Sequence, residues 1–314
     1  MIFMGIFIHI DGVVLNRILG RVIFFIFLFT FAFRVIPAFA TSLEQVRKTG
    51  VLRHIGIPYA NFVIEKGQGL DVEVMQRFAK HLGVKYKLVL SNWMRVFGDL
   101  TGELVRAEDG VVKVVGHTEV RGDVIACGLT MLKWRKQLVD FSNPTFPTQV
   151  WGLARYDYPA NPVNASGNIA KDLAAIKRVI KGRKILGKES TCLTPSLYGI
   201  DQSVGQVMDF PGLLNDMVFA VLKGVVDVTL LDVPDMMVAL EKYPEKLKVL
   251  GPISREQEMA AAFSHDSPKL RNEFNLFFDK LKQSGEYGRL VKKYYHVVFK
   301  YYPDFFREEN IKIH

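Results

Sequence analysis

The sequence predicts an α/β protein. Residues 51–90 read as strand, helix, strand, the unit of a parallel sheet. A second alternation of helices and strands runs from residue 169 onward, beyond a stretch rich in Pro and Gly. The chain is 49% hydrophobic and 23% charged, which excludes a disordered polypeptide. Its 314 residues are enough for two ordinary domains or one bilobed domain.

The first 40 residues read as an address rather than as fold. Arg17 and Arg21 precede the apolar run Val22 to Phe33, and Ala38-Phe39-Ala40 follows. A basic segment, a short apolar core and an A-x-A site describe an export signal cleaved after Ala40. The run is too short for a stable crossing of a ~30 Å hydrocarbon core; an uncleaved anchor is the alternative. Export places Cys127 and Cys192 in an oxidising compartment, where a disulfide can persist. Two cysteines exclude a disulfide scaffold and a four-thiolate zinc site.

The elements follow in order. Thr41 to Lys48 forms a short helix that Ser42 can cap and Gly50 ends. Val51 to Ile57 is a buried strand stopped by Pro58. Asp71 to Leu82 carries Val74, Met75, Phe78, Ala79 and Leu82 at helical spacing, with Gly83 past its end. Val84 to Leu90 alternates as a strand. Residues 101–121 interrupt this rhythm as a surface insertion with hairpin character. Gly122 to Gly128 returns to a strand. Pro144, Pro147, Pro159 and Pro162 mark a crossover. Helices are expected at Ile169–Ile180 and Leu213–Leu222, with strands at Lys184–Leu186 and Val225–Leu231. Leu270, Phe274, Phe277, Phe278 and Leu281 mark a helix face, a stripe that reads as lobe packing. Leu290 to Val298 is a last helix before an aromatic tail.

Catalytic and cofactor motifs are absent. There is no G-x-S-x-G, no phosphate-binding G-x-x-x-x-G-K-S/T and no H-E-x-x-H, and Gly67-Gln-Gly69 lacks a third glycine. No two of the seven histidines stand at ligand spacing, so no metal and no cofactor is predicted. The formal charge of +9 is spread along the chain, which argues against nucleic acid as a partner.

One run stands out. The strand ending at Gly128 is followed by Thr130 and then by Arg135. Strand C-termini of open α/β sheets face a ligand crevice. An arginine there offers two parallel donors that suit a carboxylate. Read without further context, an exposed Arg on a turn with Lys133 and Lys136 is the simpler alternative.

The run Gly128-Leu-Thr130-Met-Leu132-Lys-Trp-Arg135-Lys-Gln-Leu-Val139-Asp140-Phe141-Ser142 resembles the signature of the family 3 extracellular solute-binding proteins, the receptors of polar amino-acid ABC importers. The likeness extends through Gly50 to Gly56, Tyr59 to Phe62, Gly69 to Gly83, Gly187 to Cys192, Gly224 to Asp232 and Gly285 to Tyr287. The chain also resembles the non-catalytic solute-binding-like domain of membrane-bound lytic murein transglycosylases. Departures include Leu132 for a small Thr, Lys133 for Pro, Asn61 for Pro, and Cys127 and Cys192 at cleft positions.

The resemblance implies a two-lobed, periplasmic-binding-protein-like fold of type II, with two doubly wound lobes joined by two crossover segments. Residues 41–147 and 252–314 would form the first lobe and 148–251 the second. It implies a ligand clamped between them. Arg135 would grip an α-carboxylate with help from Thr130 and from backbone N–H groups near Gly128 and the Thr191-Cys192 turn. Asp232 would accept an α-ammonium, Tyr59 would form an apolar wall, and Trp93 would join it. A desolvated zwitterion needs a fixed cation and a fixed anion. Local readings stay open beside these. Asp232 can cap the turn toward Asp235, Thr130 can be a turn hydroxyl, and Tyr59 and Trp93 can be packing. The two cysteines are two buried thiols, or a pair facing across the cleft if their Cα atoms come within ~7 Å.

The implied function is a monomeric, non-enzymatic periplasmic receptor. It would deliver an amino acid or related carboxylate to ABC importer membrane subunits. A cell-envelope regulatory module and a dehydratase-like enzyme are the alternatives.

Overall fold

Ser42 opens the chain's first described helix, its Oγ accepting the Gln45 N–H at 3.2 Å. That helix, α1 (Leu43–Thr49), ends at Gly50 in the left-handed conformation. The computed structural model describes residues 42–305 except 65, 109, 110 and 304. The expected export signal lies outside these residues. All of them belong to one unit, Ala40–His314.

The first lobe is built on β1 (Val51–Gly56), whose Leu52 and Ile55 are buried. Helix α2 (Leu70–Leu82) carries the chain across to β2 (Lys85–Leu90), parallel to β1. A short helix α3 (Val96–Thr101) leads into β3 (Glu103–Glu108) and β4 (Val111–His117), an antiparallel hairpin where an insertion was expected. The chain then returns as β5 (Val124–Ile125) on the other side of β1. Strand β6 (Asp140–Phe141) follows the signature run.

Strand β7 (Phe146–Thr148) leaves this sheet, and β8 (Val150–Arg155) enters the second lobe. Helix α4 (Ile169–Val179), capped by Asn168, leads to β9 (Lys184–Gly187) and β10 (Gln206–Asp209), which are parallel. A single 3-10 turn precedes α5 (Met217–Leu222), so the helix expected over 213–222 is half its length. Strand β11 (Val228–Asp232) runs directly into α6 (Val233–Lys242), and β12 (Leu247–Pro252) closes the lobe. The sheet order is β10-β9-β11-β8-β12.

The return path is β13 (Gln257–Met259), which pairs antiparallel with β7 between the two sheets. Then β14 (Ala262–Phe263) inserts between β5 and β6, giving the first sheet the order β2-β1-β5-β14-β6. Helices α7 (Pro268–Gln283), α8 (Glu286–Tyr294) and α9 (Val298–Tyr301) finish the described chain. The helix read as starting at Leu290 starts at Glu286 and breaks before Val298. The aromatic stripe on α7 is lobe packing, as expected: the Phe274 ring meets Phe78 of α2 edge-on at 5.2 Å between centroids. Each such buried ring stabilises the lobe by about 2–3 kcal/mol.

The sequence reading missed three elements beside the site. Strand β8 is apolar from Val150 to Ala154, and β12 carries a register shift between Val249 and Gly251, so neither alternates cleanly. Helix α6 starts on Val233-Pro234, where proline fits because the first helical turn needs no N–H bond. Among the described residues no helix is long and apolar enough to cross a membrane.

Candidate functional site

The C-terminal ends of β1, β5 and β11 lead to Tyr59, to Thr130 and Arg135, and to Asp232, and these side chains lie near one another. From β5 the chain turns at Gly128, whose φ is +64°. A Cβ there would stand 2.4 Å from a ring carbon of Phe62, so both conformation and contact require glycine. The Gly128 N–H donates to Asp71 Oδ2 at 2.7 Å in a buried setting. This N–H is therefore engaged inside the lobe by Asp71. Burial pushes the Asp71 carboxyl up to about 7.

Thr130 is strapped to the crossover by a bridge to Met259, and the Met131 N–H donates to Glu258 O at 2.8 Å. The chain then tightens into a 3-10 turn beginning at Arg135. The Arg135 side chain is 1% exposed. Its Nη1 donates to Thr130 O at 2.9 Å. Its guanidinium carbon sits 5.5 Å from the Trp93 ring centroid and 5.2 Å from that of Trp134. Such cation–π contacts hold the fork in plane at about 0.5–2 kcal/mol each. Nε and Nη2 of Arg135 and Oγ1 of Thr130 are buried without a hydrogen-bond partner. A buried cation with two donor nitrogens unused is expensive, and a planar oxyanion meets that need.

The opposing side comes from the second lobe. Asp232 ends β11 and caps α6, its Oδ1 accepting the Asp235 N–H at 3.3 Å. Its other oxygen, Oδ2, lies 3.7 Å from the Cys192 thiol. The capping role and the position at the gap thus coexist in one side chain. Burial pushes the Asp232 carboxyl up to about 6, against the Tyr59 hydroxyl, the Asp235 N–H, the Cys192 thiol and Arg135, which favour its ionised form. Asp235, 5% exposed, is pushed further up by burial and by Asp232, and its Oδ2 has no partner.

Thr191 holds its own turn. Its Oγ1 donates to Lys188 O at 2.7 Å and accepts the Leu193 N–H at 3.0 Å. Tyr198 Oη donates to Cys192 O at 2.5 Å. Both cysteines are free and buried, so the bond considered between them is not made. Burial, with Asp71 near one and Asp232 near the other, pushes both thiols up to about 12, which leaves them protonated and poor nucleophiles.

Tyr59 joins the halves. It is 1% exposed and meets Trp93 edge-on at 5.9 Å between ring centroids. Its hydroxyl faces Asp232 and Asp235, which with burial raise its pKa, yet it makes no hydrogen bond of good geometry. The turn carrying Tyr59 is pinned by Asn61, whose N–H donates to Tyr295 Oη at 2.8 Å and whose Nδ2 donates to Tyr294 O at 2.9 Å. The Ala60 N–H donates across to Asn215 Oδ1 of the second lobe at 3.0 Å.

Arg135, Thr130, Trp93, Tyr59, Asp232 and Cys192 are therefore contiguous, whereas the Gly128 N–H and the Thr191 hydroxyl are engaged within their own lobes. The sequence reading did not find Trp134, Tyr198, Asn215 or the buried carboxyl of Asp235 as members. Trp134 adjoins Arg135 in sequence and could have been proposed. Tyr198 and Asn215 carry no local signal. Among the described residues no group of His, Cys, Asp and Glu is placed to hold a metal ion.

Comparison with known proteins places this geometry in context. Residues 114–297 match the profile of the bacterial extracellular solute-binding proteins, family 3. A membrane-bound lytic murein transglycosylase F of Desulfosudis oleivorans is 26% identical over 265 residues, which cover 82% of this chain and 51% of that protein. The chain thus spans about half the length of the curated relatives it matches. A variant of ArgBP from T. maritima superposes with a TM-score of 0.62 at 21% identity, covering 81% of this chain and 99% of that one. The ancestral amino-acid-binding protein AncCDT-1, described as a precursor of cyclohexadienyl dehydratase, superposes at 0.63 with 20% identity, covering 81% and 98%. These structures share the type II periplasmic-binding fold.

Proposed function

The chain belongs to the bacterial extracellular solute-binding proteins of family 3, and from that premise we propose that it clamps a small solute carrying a carboxylate and an ammonium group. In this reading it is a periplasmic receptor that hands its solute to the membrane subunits of an ABC importer, and it performs no chemistry on it. One observation carries the proposal. Arg135 keeps Nε and Nη2 free of protein partners at 1% exposure, beside the unpartnered Thr130 hydroxyl. A carboxylate seated there accepts two parallel N–H bonds and the hydroxyl proton. Asp232 stands opposite as a carboxylate whose ionised form the Tyr59 hydroxyl, the Asp235 N–H, the Cys192 thiol and Arg135 favour. A zwitterion then satisfies both walls, and closure of the lobes strips it of water and strengthens both pairs.

Arg135→Ala tests this directly. Calorimetric titration with pooled amino acids and dicarboxylates should give heat with the native protein and none with the variant. Circular dichroism of the variant should still show one cooperative melt. Equal affinity in the two proteins refutes the reading, and formation of a product during the titration replaces it with an enzyme.

A second reading follows from the half-length match to a murein transglycosylase F. There the same clamp senses a cell-wall fragment as an envelope module. Adding muropeptides to the titration separates the two, since a module of that kind binds them in preference to free amino acids.

A further inference from the structure

We propose that Thr148 and Gln257, on the crossover ribbon, form a second polar subsite that takes a carboxamide on the ligand's side chain, so that the site selects amino acids ending in a primary amide. This rests on the reading of Arg135 as the carboxylate anchor. Strand register puts the subsite beside that anchor. In the antiparallel ribbon of β7 and β13, Gln257 stands directly opposite Thr148, and Met259 directly opposite Phe146. Thr130 bridges Met259 in the same antiparallel sense and so adds a third chain to the ribbon. Residues directly opposite one another, and residues two apart on a strand, share a face. Thr130, Met259, Phe146, Gln257 and Thr148 therefore lie on one face. That face looks into the molecule: the Phe146 ring meets Phe62 edge-on at 5.2 Å between centroids, and Phe62 stacks on Tyr59 at 6.1 Å. From Thr130 to Gln257 is one diagonal step across the ribbon, about 7–8 Å, which a short side chain can bridge.

The polar atoms of this face are left open. Thr148 is fully buried, and its Oγ1, the Oε1 of Gln257 and the Oγ1 of Thr130 are buried without a hydrogen-bond partner. The second lobe covers the Gln257 amide with Tyr198, whose hydroxyl donates to Cys192 O at 2.5 Å. The same hydroxyl feels the charges of Asp232 and Arg135, so Gln257 adjoins the residues that bind. A hydroxyl opposite an amide oxygen, with no charged residue among the five on their face, calls for a neutral group that both donates and accepts. A carboxamide does both. Its N–H groups donate to Gln257 Oε1, and its oxygen accepts from the Thr148 hydroxyl. If the Gln257 amide turns over, the roles exchange and the fit is kept. A side-chain carboxylate has no proton for Gln257 Oε1, and a side-chain ammonium has no acceptor for the Thr148 proton. Each also buries a charge with no counter-charge on that face. An alkyl side chain leaves both atoms unpaired, and a site built for hydrogen bonds rejects the analogue that lacks them.

Calorimetric titration of the purified protein with L-glutamine, L-glutamate and L-norvaline tests the subsite, since the three differ only at the end of the side chain. Native protein should bind glutamine about tenfold or more tighter than either other amino acid, the effect of leaving a buried donor and acceptor unpaired. Thr148→Val and Gln257→Leu should each bring that ratio below about threefold while the norvaline affinity is kept. Thr148→Ser retains the hydroxyl and should retain the ratio. A pair that serves packing, or holds only a water, would leave the ratio unchanged in both variants or move all three affinities together; either result overturns the subsite. If Gln257→Leu does not fold, the contrast between Thr148→Val and Thr148→Ser decides alone. Native protein that binds the three amino acids equally overturns the subsite and leaves the carboxylate anchor standing. Native protein that binds none of the three overturns the subsite, and the anchor falls with it only if the pooled amino acids and dicarboxylates also give no heat.

Discussion

At Arg135 a permanent cation lies 1% exposed between the rings of Trp93 and Trp134, with one of its five N–H donors on Thr130 O. The side chains around it are held in a state that depends on pH. Asp71 and Asp232 are pushed by burial to about 7 and about 6, above the ~3.9 of an unfolded aspartate. Between the two values the folded chain keeps protons that the unfolded chain has released. Their contribution therefore favours the fold at low pH and is lost as pH rises through about 6 to 7. His54 works in the opposite sense. Its Nε2 lies 2.6 Å from Ala126 O, which can only accept, so Nε2 carries a proton; with burial holding the ring neutral, Nδ1 accepts from Tyr86 Oη. Burial lowers it to about 4, so below ~6.5 the unfolded chain gains a proton that the folded one refuses. Asp71→Asn isolates one of these groups. Its stability relative to the native chain should improve steadily from pH 5 to pH 8 in urea unfolding; a difference independent of pH contradicts a raised Asp71. Arg135 and Asp232 were legible as candidates because a family signature marks them. The buried state of Asp235 was not, since a carboxyl at a helix start reads as an ordinary solvated cap.

Individual elements explain how the site is fastened. The loop between β5 and β6 has little regular structure, yet it is fastened at Gly128 to Asp71, at Thr130 to Met259 and at Met131 to Glu258. Gly128→Ala attacks that fastening twice, through a positive φ and through a Cβ 2.4 Å from the Phe62 ring. It should cost about 2 kcal/mol or more, read as a lower urea midpoint, and should weaken ligand binding as well. A variant as stable as the native chain shows that the loop can relax away from Phe62. The hairpin β3–β4 is different in kind. Val111, Val114 and Val115 are exposed on it. The periodicity of 101–121 announced an insertion with hairpin character because charges and glycines flank a Val-rich run. By contrast β8 and β12 were invisible, since strands buried on both faces lose the alternation that identifies them.

For the molecule as a whole, the chain crosses twice between two sheets, through β7 and β13, and these crossovers pair with each other. A direct tie between the lobes is the bond from the Ala60 N–H to Asn215 Oδ1 at 3.0 Å. Asn215→Ala should lower ligand affinity by about fivefold, near 1 kcal/mol for one hydrogen bond, with little change in melting temperature. Small-angle scattering should show a more extended ligand-free protein; an unchanged profile and affinity would mean that the tie does not set the closed state. The sequence alone determined the α/β class, the order of most helices and strands, and the Arg135 and Asp232 candidates. Those depend on local periodicity, on glycine and proline punctuation, and on a motif confined to consecutive residues. Tertiary structure alone decided which polar atoms are left without partners, that Gly128 serves Asp71, that both thiols stay free, and that Tyr59 of the first lobe stands beside Asp232 of the second. Each of these is a matter of burial and distance between residues far apart in the chain, and no local pattern encodes which groups lose their water together.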